Sequence, residues 1–215
     1  MRSGAGYVRL LAQHRIPAHR PDLVVIDDDP AAQLKDDRIR AVLIGPGLGR
    51  DDAARQRLTT VIAAKHSIVA DADALMLLTP DLLRHRTGIT IVTPHAGEFD
   101  VLCRTFGIAP ADKVARAVAL ARATGSIVLA KGPDNVLTDG SAVRLFPAMP
   151  SWLAVAGTGD VLAGLITGRL AVGQNGRRAA EEAVWLHGQA ALLCGAAPTA
   201  RDVAAAVSTA YATFL

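Results

Sequence analysis

The residues best equipped for chemistry lie in one stretch, Val155-Ala156-Gly157-Thr158-Gly159-Asp160-Val161-Leu162-Ala163-Gly164. Two glycines flank a threonine and an aspartate follows at once. An apolar helical pattern then runs through Leu162, Leu165, Ile166 and Leu170. This is a glycine turn entering a helix. The turn is expected to leave the backbone N–H groups of Gly157, Thr158 and Gly159 without acceptors. Together with the positive end of the helix dipole they would form an anion site. A carboxylate at Asp160 would repel a resident phosphate. The combination suits a transient anion, with Asp160 orienting or deprotonating a hydroxyl beside it. The same residues also fit a plain capped helix in which Asp160 only complements the dipole.

Four more loops carry glycine or charge, and each follows a short apolar run. Ile39 to Ile44 reads as a buried strand ending in Gly45-Pro46-Gly47-Leu48-Gly49, and Asp51 then opens a helix reaching about Lys65. The loop lacks the order of the dinucleotide fingerprint and holds a proline. Ser67 to Ala70 runs into Asp71-Ala72-Asp73-Ala74-Leu75. On an extended strand those two carboxylates would face one side; one of them also suits a helix cap. Ile89 to Val92 ends in Thr93-Pro94-His95-Ala96-Gly97-Glu98, where His95 and Glu98 sit three apart at a helix start and can face one pocket. Ser126 to Ala130 leads to Lys131-Gly132-Pro133-Asp134-Asn135. If the strands are parallel, all four loops share one rim of the sheet, where open α/β sheets bind ligands.

The elements needed to hold such a rim are present in outline. Helical patterns cover Ala111–Ala123, Ala179–Leu193 and Arg201–Thr213, and the second carries Trp185 and His187. Val136–Thr138 and Ala142–Leu145, joined through Asp139-Gly140, read as a hairpin able to wall a nucleotide. Alternating strands and helices predict an α/β fold: one layer of mostly parallel sheet with helices on both faces, in a single domain over residues 1–215. The 215 residues are enough for a substantial core, with 51% hydrophobic, 20% charged and 4% aromatic residues. The net charge of +3 comes without a basic run or interleaved aromatics, so nucleic-acid binding is not expected. No apolar run approaches the roughly 20 residues that span a bilayer. Cys103 and Cys194 match no metal spacing and suit a reducing cytoplasm. Asp27-Asp28-Asp29-Pro30 could hold a cation but reads better as a solvated turn.

The set Gly45-Pro46-Gly47-Leu48-Gly49, Asp71-Ala72-Asp73-Ala74-Leu75, Thr93-Pro94-His95-Ala96-Gly97-Glu98, Lys131-Gly132 and Gly157-Thr158-Gly159-Asp160-Val161-Leu162-Ala163-Gly164 resembles the ADP/ATP-dependent NAD(P)H-hydrate dehydratases. These metabolite-repair enzymes belong to the ribokinase-like superfamily, with its three-layer α/β/α architecture. The motifs stand in the family's order across nearly the whole chain. The resemblance implies dehydration of NADHX or NADPHX, driven by ADP in most bacterial members and by ATP in eukaryotic ones, with Mg²⁺ required. It implies substrate contacts at Gly49, His95 and Asp160, with Asp160 as the catalytic base. Nucleotide contacts would fall on Lys131, Gly132, Pro133, Asp134, Asn135 and Gly159, and Glu98 would reach Mg²⁺ through water. It also implies a homo-oligomer, a tetramer in bacterial relatives, and functional pairing with an NAD(P)H-hydrate epimerase. The other readings are a ribokinase-like vitamin-precursor kinase and an inactive nucleotide-binding module.

Three departures from the family stand out. Val155 and Ala156 replace a common threonine and glycine, Met76 replaces a polar residue, and the opening strand and helix are not seen before Ser3-Gly4-Ala5-Gly6, which reads as a helix end turning into a strand. The expectation is a chain that gains stability when extended upstream and that binds nucleotide better than it turns over hydrate, since a lost strand costs kilocalories out of about 5–15 kcal/mol. Melting temperature, ADP affinity and NADHX turnover, compared with a longer chain carrying that strand and helix, test it. Equal values in both would reject it.

Overall fold

A computed structural model describes residues 2–11, 23–26 and 29–213. Asp27 and Asp28 of the acidic run lie outside the described residues. The main sheet has six strands in sequence order: β3 (Ala41–Ile44), β4 (Ser67–Ala70), β5 (Thr90–Val92), β6 (Ile127–Ala130), β7 (Val136–Thr138) and β8 (Val143–Leu145). β3 to β6 are parallel, and β7 and β8 add on as an antiparallel hairpin. β1 (Val8–Leu11) and β2 (Leu23–Ile26) pair in parallel as a separate two-stranded sheet. The central sheet is mostly parallel, as expected, and among the described residues β1 and β2 stand apart from it.

Parallel neighbours need crossovers, and helices supply them. Between β3 and β4 runs α2 (Asp52–Ala63); between β4 and β5, α3 (Asp73–Leu77) and α4 (Pro80–Leu83); between β5 and β6, α5 (Ala96–Thr105) and α6 (Lys113–Thr124). The short α1 (Pro30–Gln33) precedes β3. After the hairpin come α7 (Thr158–Ala171), α8 (Gly176–Cys194) and α9 (Ala200–Ala212). Side-chain caps set the starts: Asp51 accepts from Ala54 N at 2.8 Å and Asp112 from Ala115 N at 2.8 Å. Asn175 accepts from Arg178 N at 2.9 Å, so α8 begins three residues before the expected Ala179. Its first turn, Gly-Arg-Arg, carries no apolar periodicity, and only the cap marks it.

The period-two alternation of the strands divides the core. Ile44, Ile68, Ala70, Val92, Val128, Ala130 and Val136 face α2 to α6. Val69, Ile91, Leu129 and Leu137 face α7, α8 and α9. This is the expected three-layer arrangement, with the sheet covered on both faces.

On the α7–α9 side lies a buried charge network. Arg169 of α7 is 4% exposed and bonds Glu182 of α8 at 2.6 Å. Its guanidinium also donates to Tyr211 Oη of α9 at 2.7 Å, lies 5.4 Å from that ring's centroid, and reaches the Ser3 carbonyl at 3.4 Å. Arg178 closes the other Glu182 oxygen at 2.7 Å. One guanidinium thus ties three helices and the N-terminal turn together. Glu182→Ala would leave Arg169 buried without its counter-charge and is expected to cost about 3–5 kcal/mol. Urea unfolding measures this; a loss under about 1 kcal/mol would mean that water or Tyr211 replaces the carboxylate.

Candidate functional site

The register of the parallel strands builds the site. Ile44, Ala70, Val92 and Val128 pair across β3 to β6, so the four strand exits fall on one rim. The ladder continues into the loops. Asp71 N donates to Ile44 O at 3.1 Å, Thr93 N to Ala70 O at 3.2 Å, and Lys131 N to Pro94 O at 2.8 Å. The loops named from the sequence are therefore brought together by backbone hydrogen bonds.

Lys131 lies at the centre. Its Nζ is 2.9 Å from Asp71 Oδ1, and the two side chains are 16% and 3% exposed. The same Nζ lies 3.3 Å from where a Cβ on Gly159 would stand, so the ammonium sits at the N-terminus of α7. There Gly157 takes φ +88°, a left-handed conformation that glycine adopts freely. Thr158 differs from expectation. Its N–H donates to Val155 O at 3.2 Å, and its hydroxyl donates to Leu153 O and Val155 O, both at 2.7 Å. It shapes the turn and offers no N–H to an anion. At the start of α7 the N–H groups of Gly157, Gly159 and Asp160 have no acceptor among the described residues. Three such donors, a helix terminus and an ammonium form an anion site.

Asp160 is exposed at the mouth of this site. Burial raises its pKa, the charge of Asp71 raises it further, and Lys131 opposes both. The result is a stronger base than an ordinary aspartate, beside the anion donors. His187 comes up beneath from α8, 8% exposed, with its ring hydrogen-bonded to the Thr158 backbone. Its Nε2 has no partner among the described residues. Burial, with Lys131's charge adding to it, lowers its pKa to about 4 despite that hydrogen bond. The sequence showed His187 only as one residue of a helix; nothing in its spacing pointed to the turn.

The two aspartates after β4 do not face one side. Ala72 between them takes φ +48° and ψ −125°, a left-handed conformation unusual for a residue with a Cβ. Asp71 turns inward to Lys131. Asp73 turns toward the loop after β3, where it accepts from Gly49 N at 3.1 Å and from Arg50 Nε at 2.7 Å. Neither is the N-cap of α3, which is Ala72. Gly45 is required here, because a Cβ on it would lie 1.6 Å from the Asp71 carbonyl oxygen.

His95 and Glu98 meet each other in a capping box at the start of α5. His95 Nδ1 accepts from Gly97 N at 3.1 Å and from Glu98 N at 3.4 Å, while Glu98 Oε2 accepts from His95 N at 2.8 Å. The His95 ring remains 63% exposed, with Nε2 3.3 Å from Glu98 Oε1. In the loop after β6, Gly132 N donates to Asn135 Oδ1 at 3.2 Å, and Asn135 is 8% exposed. Lys113 of α6 grips Asp134 at 3.2 Å and holds its carboxyl below the usual range. Asn135 thus shapes the loop from inside, leaving Gly132, Pro133 and Asp134 at the surface. Among the described residues no three His, Cys, Asp or Glu side chains gather as a cation cage. A surface cavity of about 370 Å³ lined by Arg144, Phe146, Met149 and Trp185 shares no residue with this cluster.

The depressed pKa of His187 has a consequence for stability. The unfolded chain takes up this proton near pH 6.5, the folded chain only near pH 4. Between those values the unfolded state binds more protons, so stability falls as pH drops through the window, by a total on the order of 3 kcal/mol. His187→Leu is expected to remove that slope. Urea unfolding of both proteins at about pH 7 and pH 4.5 gives the difference. An unchanged slope would mean that the ring is protonated or solvated in the fold.

Comparison with known proteins fits this geometry. A model of the NAD(P)H-hydrate dehydratase family matches residues 1–211. The bifunctional NAD(P)H-hydrate repair enzyme Nnr of Mycobacterium leprae is 37% identical over 210 residues, covering 96% of this chain and 42% of that protein. Its Mycobacterium tuberculosis namesake is 42% identical over 166 residues, covering 75% and 34%. The chain therefore spans well under half the length of these relatives. A Bacillus subtilis structure, an ADP/ATP-dependent NAD(P)H-hydrate dehydratase co-crystallised with ATP/Mg²⁺ and soaked with CoA, superposes with TM-score 0.76 at 28% identity, covering 91% of this chain and 75% of that one. A ribokinase-like superfamily protein from Enterococcus faecalis superposes with TM-score 0.84 at 24% identity, covering 99% and 79%, and shows the fold. The fold is ribokinase-like, and the chain belongs to the NAD(P)H-hydrate dehydratase family.

Proposed function

We propose that this chain dehydrates NADHX and NADPHX to NADH and NADPH, using ADP or ATP. The observation that carries the proposal is the anion site at α7. Lys131, three free N–H groups and the strengthened base Asp160 converge there. A ring hydroxyl is a poor leaving group. Asp160 takes the hydroxyl proton as the oxygen attacks the terminal phosphorus of the nucleotide, and the bond to the nucleotide breaks. The N–H groups of Gly157, Gly159 and Asp160, with Lys131, hold the charge on the transferred group. The C–O bond then breaks, phosphate leaves with the electron pair, and a ring proton is lost to form the double bond. ADP gives AMP and phosphate.

Gly49, on the loop braced by Asp73, and the exposed edge of His95 flank the hydrate. The surface of Lys131 to Asn135, with Gly159, receives the nucleotide. Glu98 is 12% exposed, and its oxygens are engaged by the capping box. One such carboxylate suits a Mg²⁺ held mainly by nucleotide phosphates and reached through water. That ion would neutralise phosphate charge during transfer. The Bacillus subtilis relative was co-crystallised with ATP/Mg²⁺, which supports this cofactor set. The bifunctional naming of the relatives supports pairing with an epimerase, and the whole is read as a cytoplasmic homo-oligomer.

Absorbance recovery of NADHX with ADP or ATP and Mg²⁺ tests the activity. Asp160→Asn is expected to lower kcat more than tenfold, about 1.4 kcal/mol or more of transition-state stabilisation, with nucleotide affinity retained. Loss of less than that would remove Asp160 as the base. A stable phosphate ester in place of NADH would identify a kinase, and nucleotide binding with no product an inactive module.

A further inference from the structure

We propose that Asp71 is a positioning residue for the phosphoryl-transfer centre: its buried carboxylate holds the Lys131 ammonium at Gly159 and keeps it from pairing with Asp160. The proposal rests on reading the α7 terminus as that centre. Three independent features fix Asp71. Its side chain is 3% exposed and accepts from Lys131 Nζ at 2.9 Å. Its carbonyl occupies the space that a Cβ on Gly45 would need, at 1.6 Å. The next residue, Ala72, is a non-glycine at φ +48° and ψ −125°. Non-glycine residues persist in such conformations where the surroundings over-determine them, and they cluster at functional sites.

A buried carboxylate and ammonium are costly to desolvate, and an apolar pair of similar volume is often no less stable. Stability alone gives no reason for the pair. Position gives one. Two carboxylates, Asp71 and Asp160, compete electrostatically for one cation. Asp71 raises the basicity of Asp160 and Lys131 lowers it. An ammonium drawn to Asp160 would make a poorer base and would leave the anion donors of α7. With Asp71 holding it, Lys131 stays at Gly159, ready for phosphate, and Asp160 stays free for a hydroxyl proton. The other groups around them do not take over this part. His187, packed beneath from α8, is neutral above about pH 4. Lys113 of α6 is engaged by Asp134.

Asp71→Asn keeps the shape and removes the charge. Three readouts are expected to move together. In a crystal structure of the variant, Lys131 Nζ turns to Asp160. In a carbon-detected NMR titration without ligand, the Asp160 carboxyl titrates at lower pH than in the unsubstituted protein. In turnover, the acidic limb of kcat moves to lower pH, and kcat at neutral pH falls at least about tenfold while KM for the hydrate stays within about twofold. Loss of the Asp71 charge by itself lowers the Asp160 titration, so the position of Lys131 decides: a merely structural Asp71 would lower melting temperature and leave the ammonium in place. Lys131 remaining at Gly159 in the variant would overturn the proposal. If the unsubstituted protein shows no hydrate turnover, the proposed function falls, and the crystal arm still decides the role of Asp71. Should Asp71→Asn fail to fold by circular dichroism, Asp71→Ser is read in the same way.

Discussion

The ion pair between Lys131 and Asp71 joins the two things this fold must do at its rim. It ties the exit of β6 to the exit of β4 across β5, which runs between them, at 2.9 Å. It also delivers a positive charge to the first turn of α7. Neither end could do this alone. A lysine without the carboxylate would be a desolvated cation facing a helix N-terminus, which repels it. The carboxylate supplies the counter-charge from the protein interior, leaving the solvent side of the ammonium for an anion. The pair is possible only because β3 to β6 are parallel and in register, which stacks their exits at one edge.

The second buried pair, Arg169 with Glu182, shows the opposite design. Its carboxylate is closed on both oxygens by arginines, and its guanidinium is shared among Glu182, Tyr211 and the Ser3 carbonyl. That arrangement is saturated, has nothing left to offer a ligand, and binds elements together. The Lys131–Asp71 pair is unsaturated, since an ammonium has three donors and, among the described residues, only one is used by a side chain. Saturation separates the structural pair from the one proposed to serve the anion site better than burial does.

The parts of the fold legible in the sequence were those written in local chemistry. Short continuous apolar runs marked β3 to β6, Asp-Gly marked the hairpin, and Asp51 marked the start of α2. The glycine-rich and charged exits were readable because exits of parallel strands must lie together once the strands are granted. Three features were not readable. The divergence of Asp71 and Asp73 depends on the positive φ of Ala72, and alanine gives no local sign of such a conformation. The use of the Thr158 N–H inside the turn depends on where the Val155 carbonyl points. His187 reaches the site through the packing of α8 against the sheet, so its meaning is tertiary. The separation of β1 and β2 from the main sheet is likewise a pairing choice that strand propensity does not encode.

The turn Asp71-Ala72-Asp73 gives the site its internal order. A backbone like that of Ala72 costs of order 1–3 kcal/mol, and a glycine there would avoid most of it. What the chain gains is two carboxylates that leave one short turn in different directions. One braces the glycine loop at Gly49 and the other holds Lys131 at the anion donors. The glycine loop and the Lys131 ammonium are thus referred to the same three residues, themselves pinned by Asp71 N to Ile44 O and by the absence of a side chain at Gly45. The proposed phosphoryl transfer needs attacking oxygen, phosphorus and leaving oxygen roughly in line, so under that proposal the relative placement of the two ligands is the demanding variable. A rigid, strained turn shared by both half-sites meets that demand where two independent flexible loops would not.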